Sequence, residues 1–273
     1  MQQDPILKSI NWTIGSLYGL QILLYFCILL VYEIPLGYSS ILGFIIFLSV
    51  LHIGLWIFLS LMHDHFTVIP TGEKLQRINA ANKITLFRIS STPLAGFLLL
   101  LAPQHRIWPI LVPVILLVFL SDLFDGAIAR GNRQITKIGK YLDSISDYSL
   151  LIVVSFIMAK YRMIPDWLFL LVLFRYIFQA IGMMALLIYQ GYVHPIATLL
   201  GKASVFSTML LFSLEIVQRV PLLGGHIRPI LPVLEGIVSS IVVLSLIEKV
   251  VHLKRGFVEA KETRKRTTKL RGE

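Results

Sequence analysis

Apolar runs of about twenty residues recur along this chain and are separated by short polar stretches. A helix of about twenty residues crosses the hydrocarbon core of a bilayer, because each residue adds about 1.5 Å to a core about 30 Å thick. The pattern therefore predicts an all-α membrane protein with eight transmembrane helices. The eight predicted spans cover residues 12–32, 38–62, 84–102, 107–129, 142–159, 166–189, 201–218 and 229–248.

Composition supports a membrane protein. Hydrophobic residues make up 56% of the 273 residues and charged residues only 15%, whereas a soluble domain carries about 25% charge. The chain therefore lacks the polar surface needed to face water on every side. The first apolar run is too long and too poorly flanked for a cleavable signal peptide, so we expect it to remain in the protein. The single cysteine, Cys27, lies in this run and cannot form an intramolecular disulfide.

The net charge of +10 is distributed unevenly along the chain. With the N-terminus inside, most Lys and Arg residues fall on the cytoplasmic side, and Arg175 lies within a span. This asymmetry follows the positive-inside rule, so we expect both termini in the cytoplasm and the protein in the inner or plasma membrane. Because the basic residues flank membrane spans, they do not indicate binding to nucleic acid. The opposite side carries Arg106, Lys160, Arg162, Arg219 and Arg228.

The pattern divides the chain into four regions. The first two spans carry no internal charge, and we interpret them as an accessory pair that can be separated from the rest. In the polar stretch that follows, Pro70 and Thr71 are expected to start a short helix along the cytoplasmic interface. The basic tail is either solvated or attached to anionic lipid headgroups. The regions are the accessory pair 1–62, the interfacial segment 63–83, a six-helix catalytic core 84–250 and the tail 251–273.

Four aspartates lie at the cytoplasmic edge of two successive spans. Asp122 and Asp125 are three residues apart, and Asp143 and Asp147 are four apart, so each pair shares one face of a helix. A short polar loop joins the two spans, and we expect a helical hairpin in which the two pairs converge. Charged residues in apolar spans are costly. Four such acids therefore indicate a functional site.

Four converging carboxylates cannot all stay ionised without compensating positive charge. Oxygen ligands suit Mg²⁺ or Mn²⁺ rather than zinc, and we predict two such ions that clamp a pyrophosphate. Gly126, Ala129 and Gly139 are small enough to let a nucleotide approach between helices. The plainer alternative is helix packing, with the aspartates paired to nearby basic residues such as Arg133 and Lys137.

The hairpin contains a pattern that resembles the signature of the CDP-alcohol phosphotransferases, also called CDP-alcohol phosphatidyltransferases. The segment from Asn82 to Arg88 resembles the N-x-x-T-x-x-R segment that precedes the first core helix of this family. The helix with Arg175 and the Gly201-Lys202 pair are similar to later family elements, so the resemblance covers about 82–250. The hairpin pattern is D-x2-D-G-x2-A-R-x8-G-x3-D-x3-D, filled by Asp122, Asp125, Gly126, Ala129, Arg130, Gly139, Asp143 and Asp147.

The resemblance implies an enzyme of phospholipid synthesis with a six-helix catalytic core. It implies transfer of a phosphatidyl group from CDP-diacylglycerol to a small alcohol, with release of CMP. Asp122, Asp125 and Asp143 would bind metal, and Asp147 would both contact metal and act as the general base. The CDP-lipid site would be lined by Asn82, Thr85, Gly126, Ala129, Arg130, Thr136 and Gly139.

Two cationic residues bear on the identity of the acceptor alcohol. The resemblance implies that Arg175 and Lys202 hold an anionic group, which favours a polyol phosphate or serine over choline. Ser144 stands where glycerol-phosphate and cardiolipin-forming members commonly have proline, and here the chain resembles inositol-phosphate-type and serine-type members. In the alternatives, Arg175 pairs with an intramembrane acid and Lys202 anchors the helix at the interface.

Three other interpretations remain open from the sequence. The same fold can use a CDP-amino-alcohol donor with diacylglycerol as acceptor. A transporter is the rival from another class, although transporters place ionisable residues near the midplane and often in repeated halves. A membrane scaffold would have no use for four converging acids. His63 and His65 flank Asp64 in a polar loop. A metal site is not expected there, because such a pair of histidines is usually solvated. Membrane lipids are expected neighbours, and a homodimer is left open.

Overall fold

The structure is a computed structural model. It describes residues 4–35, 37–69, 71–105, 107–131, 135–190, 198–219 and 224–271. Within these ranges, the side chains of residues 120–131, 183, 187–190 and 259–271 are not described. Five predicted site positions on one helix thus have a described backbone and no described side chain: Asp122, Asp125, Gly126, Ala129 and Arg130.

The first two helices follow the first two apolar runs. Helix α1 spans Pro5–Val31 and helix α2 spans Tyr38–Leu61. The start of α1 is fixed by Asp4, whose side chain accepts a hydrogen bond from the Ile6 backbone N–H at 3.2 Å, and by a proline at its first position. Tyr25 of α1 stacks on Phe44 of α2 with ring centroids 3.8 Å apart. The two helices therefore pack as a pair.

The segment after α2 does not form the short helix expected from Pro70 and Thr71. A 3₁₀ turn at His63–His65 is followed by an antiparallel bridge between Thr67 and Lys74. Gly72 has a φ of +71°, which allows the chain to reverse there. The backbone N–H groups of the returning residues bond to the outgoing stretch, so they are not available to a helix. Pro70 itself lies outside the described residues.

The third predicted span is built from two helices rather than one. Helix α3 spans Ala80–Ser90 and helix α4 spans Thr92–His105. Asn79 caps the start of α3 by accepting a hydrogen bond from the Asn82 backbone N–H at 3.0 Å. The junction falls at Ser91, shortly before a proline that has no N–H to continue the helical ladder. Arg88 consequently lies in the last turn of α3.

The remaining helices run from the predicted hairpin to the end of the chain. Helix α10 has 41 residues, so the last span and most of the basic tail predicted from residue 251 form one continuous helix. The helices are α5 (Trp108–Gly131), α6 (Lys137–Lys160), α7 (Asp166–Gln190), α8 (Leu199–Val217), α9 (Gly224–Ile227) and α10 (Leu231–Arg271).

The described part of the chain contains seven helical segments long and apolar enough to cross a membrane. One of them, Ala80–His105, combines α3 and α4, and the described apolar part of α5 is the shorter stretch Trp108–Phe119. No sheet occurs among the described residues, where pairing of extended backbone is limited to two isolated bridges. The prediction of an all-α membrane protein with roughly eight spans is confirmed.

The chain divides into two compact units, Met1–Ile157 and Met158–Glu273. In the first unit, a single hydrophobic core joins Ile10 of α1, Leu59 of α2, Leu86 of α3 and Leu142 of α6. The N-terminal pair, interpreted from the sequence as separable, thus shares its core with two helices of the predicted catalytic region. In the second unit, α10 packs against both α7 and α8.

Candidate active site

Two of the four predicted aspartates meet a buried arginine. Asp143 and Asp147 lie one helical turn apart on α6, and Arg88 approaches them from the last turn of α3. Its Nη2 lies 3.3 Å from Asp143 Oδ1 and 3.2 Å from Asp147 Oδ1. Its Nε donates a hydrogen bond to the hydroxyl of Ser146, which lies between the two aspartates in sequence. Arg88 thereby fixes the orientation of both carboxylates.

The environments of these three charged side chains differ. The side chain of Arg88 is fully buried, that of Asp147 is 14% exposed and that of Asp143 is 56% exposed. One guanidinium lies against two carboxylates on this face of α6. Carboxylate oxygens are among the ligands that Mg²⁺ and Mn²⁺ prefer. The donor chemistry of Asp143 and Asp147 therefore fits a divalent cation.

The convergence of all four aspartates is not tested by the geometry. Asp122 and Asp125 lie on α5, which packs against α3, but their side chains are outside the described residues. Among the side chains that the structure does describe, no group of three His, Cys, Asp or Glu residues is close enough to hold a metal ion. The full four-aspartate site remains a prediction.

The predicted CDP-lipid residues of α3 and α6 come together at the start of α6. Asn82 Nδ2 donates a hydrogen bond to Thr136 Oγ1 at 3.0 Å, and the Gly139 backbone N–H donates to the same hydroxyl at 3.0 Å. A Cβ at Gly139 would lie only 2.7 Å from Asn82 Oδ1 and 2.9 Å from Thr136 Oγ1. Glycine is therefore required for this close approach. Thr85 lies one turn after Asn82, and its hydroxyl bonds back to the Ala81 carbonyl at 3.2 Å.

The segment between α2 and α3 helps to hold the start of α6. The Ile69 N–H donates to the Ile135 carbonyl at 2.8 Å, and the Lys137 N–H donates to the Thr67 carbonyl at 3.0 Å. Within the segment, Asp64 pairs with Lys74 at 2.9 Å. The hydrogen bond and charge of Lys74 lower the pKa of this exposed carboxyl. The segment is therefore a backbone brace for the Thr136 region.

The second unit contains another buried arginine, Arg175 of α7. It is 1% exposed, and its Nη2 donates to Ser245 Oγ at 3.0 Å and to the Gly201 carbonyl at 3.4 Å. Its Nε and Nη1 are buried and have no hydrogen-bond partner among the described residues. Its Cζ lies 4.5 Å from the ring centroid of Tyr176. No acid pairs with it among the contacts of its guanidinium, so the intramembrane pairing considered from the sequence is not found in the described residues.

A second cationic side chain near Arg175 is Lys249 of α10. Lys202 is exposed on α8, whereas Lys249 is half-buried and near enough for its charge to repel that of Arg175. A Cβ at Gly201 would lie 3.5 Å from Lys249 Nζ, which places the ammonium beside the first turn of α8. Glu248 offsets part of this positive charge. Arg175, Lys249 and the N-terminal end of α8 form a cationic cluster.

Three residues of these sites were not predicted from the sequence. Arg88 was noted only as the last letter of the N-x-x-T-x-x-R segment, and Ser146 lies between the two aspartates without a distinguishing pattern. Lys249 follows directly after the last predicted span, 229–248, where a lysine normally indicates only how the span is oriented in the membrane. For Arg88, the available sequence signal was a charged residue within the third predicted span, 84–102, where a charge is costly.

Comparison with known proteins agrees with an all-α membrane protein. The model of the CDP-alcohol phosphatidyltransferase family matches residues 78–247, from just before α3 into α10. The chain therefore belongs to the CDP-alcohol phosphatidyltransferase family, as the sequence resemblance predicted.

Individual relatives match parts of the chain. The cardiolipin synthase (CMP-forming) of Streptomyces coelicolor is 33% identical over 138 residues, which are 49% of this chain and 62% of that protein. Proteins named CDP-diacylglycerol–glycerol-3-phosphate 3-phosphatidyltransferase also match. That of Cereibacter sphaeroides is 31% identical over 36% of this chain and 45% of its own length. That of Bacillus subtilis is 28% identical over 52% of this chain and 79% of its own length. The chain thus spans less than two thirds of the first two relatives.

Proposed function

We propose that this protein is a transferase that moves a phosphatidyl group from CDP-diacylglycerol to the hydroxyl of a small anionic alcohol and releases CMP. The observation that carries the proposal is the pair Asp143 and Asp147, held by buried Arg88 on helices within the family match. Family membership and the names of the relatives support the same donor and the same leaving group.

Asp147 is the proposed general base. An alcohol is a weak nucleophile, and a carboxylate within hydrogen-bond reach can take its proton as attack begins. In the proposed reaction, the acceptor oxygen bonds to the phosphorus that carries diacylglycerol, and the bond from that phosphorus to the CMP oxygen breaks. The hydroxyl proton goes to Asp147. The low exposure of Asp147 supports this role, since water competes less well there than at Asp143.

We propose that two divalent cations, Mg²⁺ or Mn²⁺, are held by the carboxylates of Asp122, Asp125, Asp143 and Asp147. When bound, such ions would neutralise the charge of the diphosphate and of the departing phosphate. The support is the oxygen-only donor set, in which Asp143 and Asp147 share one face of α6 beside Arg88.

The CDP-lipid site is proposed on the α5–α6 hairpin and α3. Gly139 has no side chain, and the hydroxyl of Thr136 and the amide of Asn82 lie beside its backbone. This arrangement supplies neutral polar groups for a nucleotide without adding charge next to the carboxylates. The other proposed contacts are Thr85, Gly126, Ala129 and Arg130.

We propose Arg175 and Lys249 as the residues that hold the anionic group of the acceptor. Two unpartnered guanidinium nitrogens, a second cation and a helix N-terminus suit a phosphate. Two relatives are named for glycerol 3-phosphate, which also favours a polyol phosphate over serine. Lys202, to which the family resemblance gave this role, is exposed on α8 and is proposed to contribute only from the edge of the acceptor site.

The reaction is proposed to take place at the cytoplasmic side of the membrane, with both termini in the cytoplasm. Lys and Arg are concentrated on the side that carries the aspartates, as the positive-inside rule requires for cytoplasmic segments. The CDP headgroup and small polyol phosphates are solvated at that face, while the acyl chains remain in the lipid.

Release of CMP by the purified full-length protein tests this proposal. CDP-diacylglycerol is offered with glycerol 3-phosphate, inositol phosphate, serine or choline, each with Mg²⁺ or Mn²⁺. We expect CMP release that depends on a phosphate-bearing acceptor, is lost in excess EDTA and is poorly restored by Ca²⁺, which prefers longer bonds and more ligands. CMP release only from a CDP-amino-alcohol with diacylglycerol would replace the proposal with the reversed reaction. No CMP release with any pair would contradict it.

A further inference from the structure

The N-terminal helices reach the catalytic region through two buried polar contacts. Gln21 of α1 is 0% exposed, and its Nε2 donates a hydrogen bond to Ser91 Oγ at 3.0 Å. His52 of α2 is 3% exposed, and its Nε2 lies 2.9 Å from Ser90 Oγ. Both serines lie at the α3–α4 junction, two and three residues after Arg88. The contacts therefore attach α1 and α2 to the end of α3 that carries the arginine.

The direction of each hydrogen bond follows from its partners. His52 Nδ1 lies 2.8 Å from the Leu48 carbonyl, which can only accept, so Nδ1 carries the proton. In the neutral ring Nε2 then accepts from the Ser90 hydroxyl. The Ser91 hydroxyl accepts from Gln21 and donates to the Phe87 carbonyl at 2.8 Å. These bonds are matched donor to acceptor and involve the last turn of α3.

Burying polar side chains in apolar helices costs free energy. A glutamine and a histidine buried in apolar helices lose their hydration, and only hydrogen bonds of good geometry offset that loss. Replacing both partners by apolar residues would pack the helices equally well. The polar contacts add direction, because a bond to Ser90 or Ser91 fixes the rotation and height of α3.

The hydrophobic core reinforces the same connection. Ile10 of α1 and Leu59 of α2 belong to one cluster with Ile89 of α3 and with Ile138 and Leu142 of α6. This cluster contacts both helices that contribute to the ion pair of Arg88. The N-terminal helices therefore share a hydrophobic core with both helices that carry the ion pair.

We propose that Gln21 and His52 are positioning residues that set Arg88 against Asp143 and Asp147. Helices α1 and α2, which lie outside the family match, then form part of the catalytic unit rather than a separable accessory. This inference rests on the proposed transferase function only for its kinetic consequence. The packing that it describes is independent of the reaction.

Three substitutions in the full-length protein test the inference. His52→Leu and Gln21→Leu remove the contacts to α3, and Ser49→Ala is the matched control, because Ser49 bonds to Tyr18 between α1 and α2 without reaching α3. We expect His52→Leu and Gln21→Leu to lower kcat about tenfold, since a small misplacement of catalytic groups is expensive. KM for CDP-diacylglycerol should change less than about twofold, because the positioned carboxylates act in turnover. His52→Gln, which keeps an acceptor for Ser90, should recover part of the activity.

A second set of variants separates positioning from general damage. If His52 acts through Arg88, its substitution should have little further effect in an Arg88→Lys background, where the two-carboxylate geometry is already lost. Equal losses in both backgrounds, or an equal loss for Ser49→Ala, would overturn the proposal.

Amide hydrogen exchange supplies a measurement that does not depend on activity. We expect faster exchange at residues 86–92 and also at 143–147 in His52→Leu and Gln21→Leu, with both regions unchanged in Ser49→Ala. Unchanged exchange at 143–147 would overturn the positioning role even if the wild-type protein proved not to be a transferase. Inactivity of the wild type together with faster exchange at 143–147 would instead refute the proposed function and leave the positioning intact.

Discussion

Among the described residues, each of the two compact units buries one arginine, and the contacts of the two arginines differ. Arg88 in the first unit meets two carboxylates and a hydroxyl, whereas Arg175 in the second meets a hydroxyl and a carbonyl. Two nitrogens of Arg175 have no hydrogen-bond partner in the structure. Burying a charge is expensive unless it is paired. Arg88 is thus an internal part of the site, and Arg175 is suited to an anion that comes from outside.

The largest expected effect is on turnover, when Asp147 is substituted. This substitution distinguishes a catalytic role of the Arg88 ion pair from a structural one. Asp147→Asn should lower turnover by about 10²–10⁴, because it removes the proposed base. Binding of CDP-diacylglycerol should stay within about tenfold, since the other carboxylates remain. Single-turnover CMP release and equilibrium binding on the same preparation check this. Near-wild-type CMP release would reduce the Arg88 pair to a structural contact.

Removal of Arg88 should weaken the fold. Arg88→Met leaves Asp143 and Asp147 without their guanidinium, and breaking a buried pair costs about 3–5 kcal/mol. We expect about 3 kcal/mol, the low end of that range, because Asp143 is 56% exposed. Unfolding of the protein at increasing concentrations of a denaturing detergent measures the change in the free energy of unfolding. A variant as stable as the wild type would show that the carboxylates do not need this partner.

Arg175→Met should give the opposite result for stability. This substitution removes a buried charge that lacks an anionic partner, so the substrate-free protein should be equally or more stable. The acceptor KM should rise about 10- to 100-fold, the scale of a lost charge-assisted hydrogen bond of about 1.5–3 kcal/mol. Paired kinetics with each substrate varied in turn supply the measurement. A loss of stability together with equal effects on both substrates would make Arg175 a structural residue.

The smallest expected effect separates the two lysines of the second unit. Lys249→Met should raise the acceptor KM about three- to tenfold, because its charge lies beside Arg175 in a partly buried setting. Lys202→Met, the matched control, should change it less than about twofold, since exposed charges are well screened. Acceptor titrations on the two variants decide the matter. The reverse order of effects would return the acceptor role to Lys202.

Periodic features of the chain were predictable from the sequence. The length of the apolar runs predicted the helices, and the spacing of Asp143 and Asp147 placed both carboxylates on one face of α6. The proximity of Asn82 to Thr136 followed from the family resemblance rather than from any local pattern. Helix ends were less predictable, because α10 continues through the basic tail to Arg271.

Contacts between distant parts of the chain were not predictable. At the α3–α4 junction, Ser91 bonds to Gln21 and Ser90 bonds to His52, partners that lie 70 and 38 residues away in sequence. The pairing of Arg88 with α6 and the approach of Lys249 to Gly201 likewise depend on helix packing. The segment after α2 was expected to be helical, yet its backbone bonds to residues just before α6. Hydrophobic periodicity contains no information on such partners.

Isotope transfer from a labelled acceptor tests the central claim most directly. Glycerol 3-phosphate carrying ¹⁸O in the attacking hydroxyl is incubated with CDP-diacylglycerol, Mn²⁺ and the full-length protein, and both products are analysed by mass spectrometry. The account predicts one labelled oxygen in the lipid product, unlabelled CMP in equal amount, and formation of both products slowed by about 10²–10⁴ with Asp147→Asn. CMP formed without acceptor, or a lipid product without label, would contradict transfer of a phosphatidyl group to the acceptor hydroxyl.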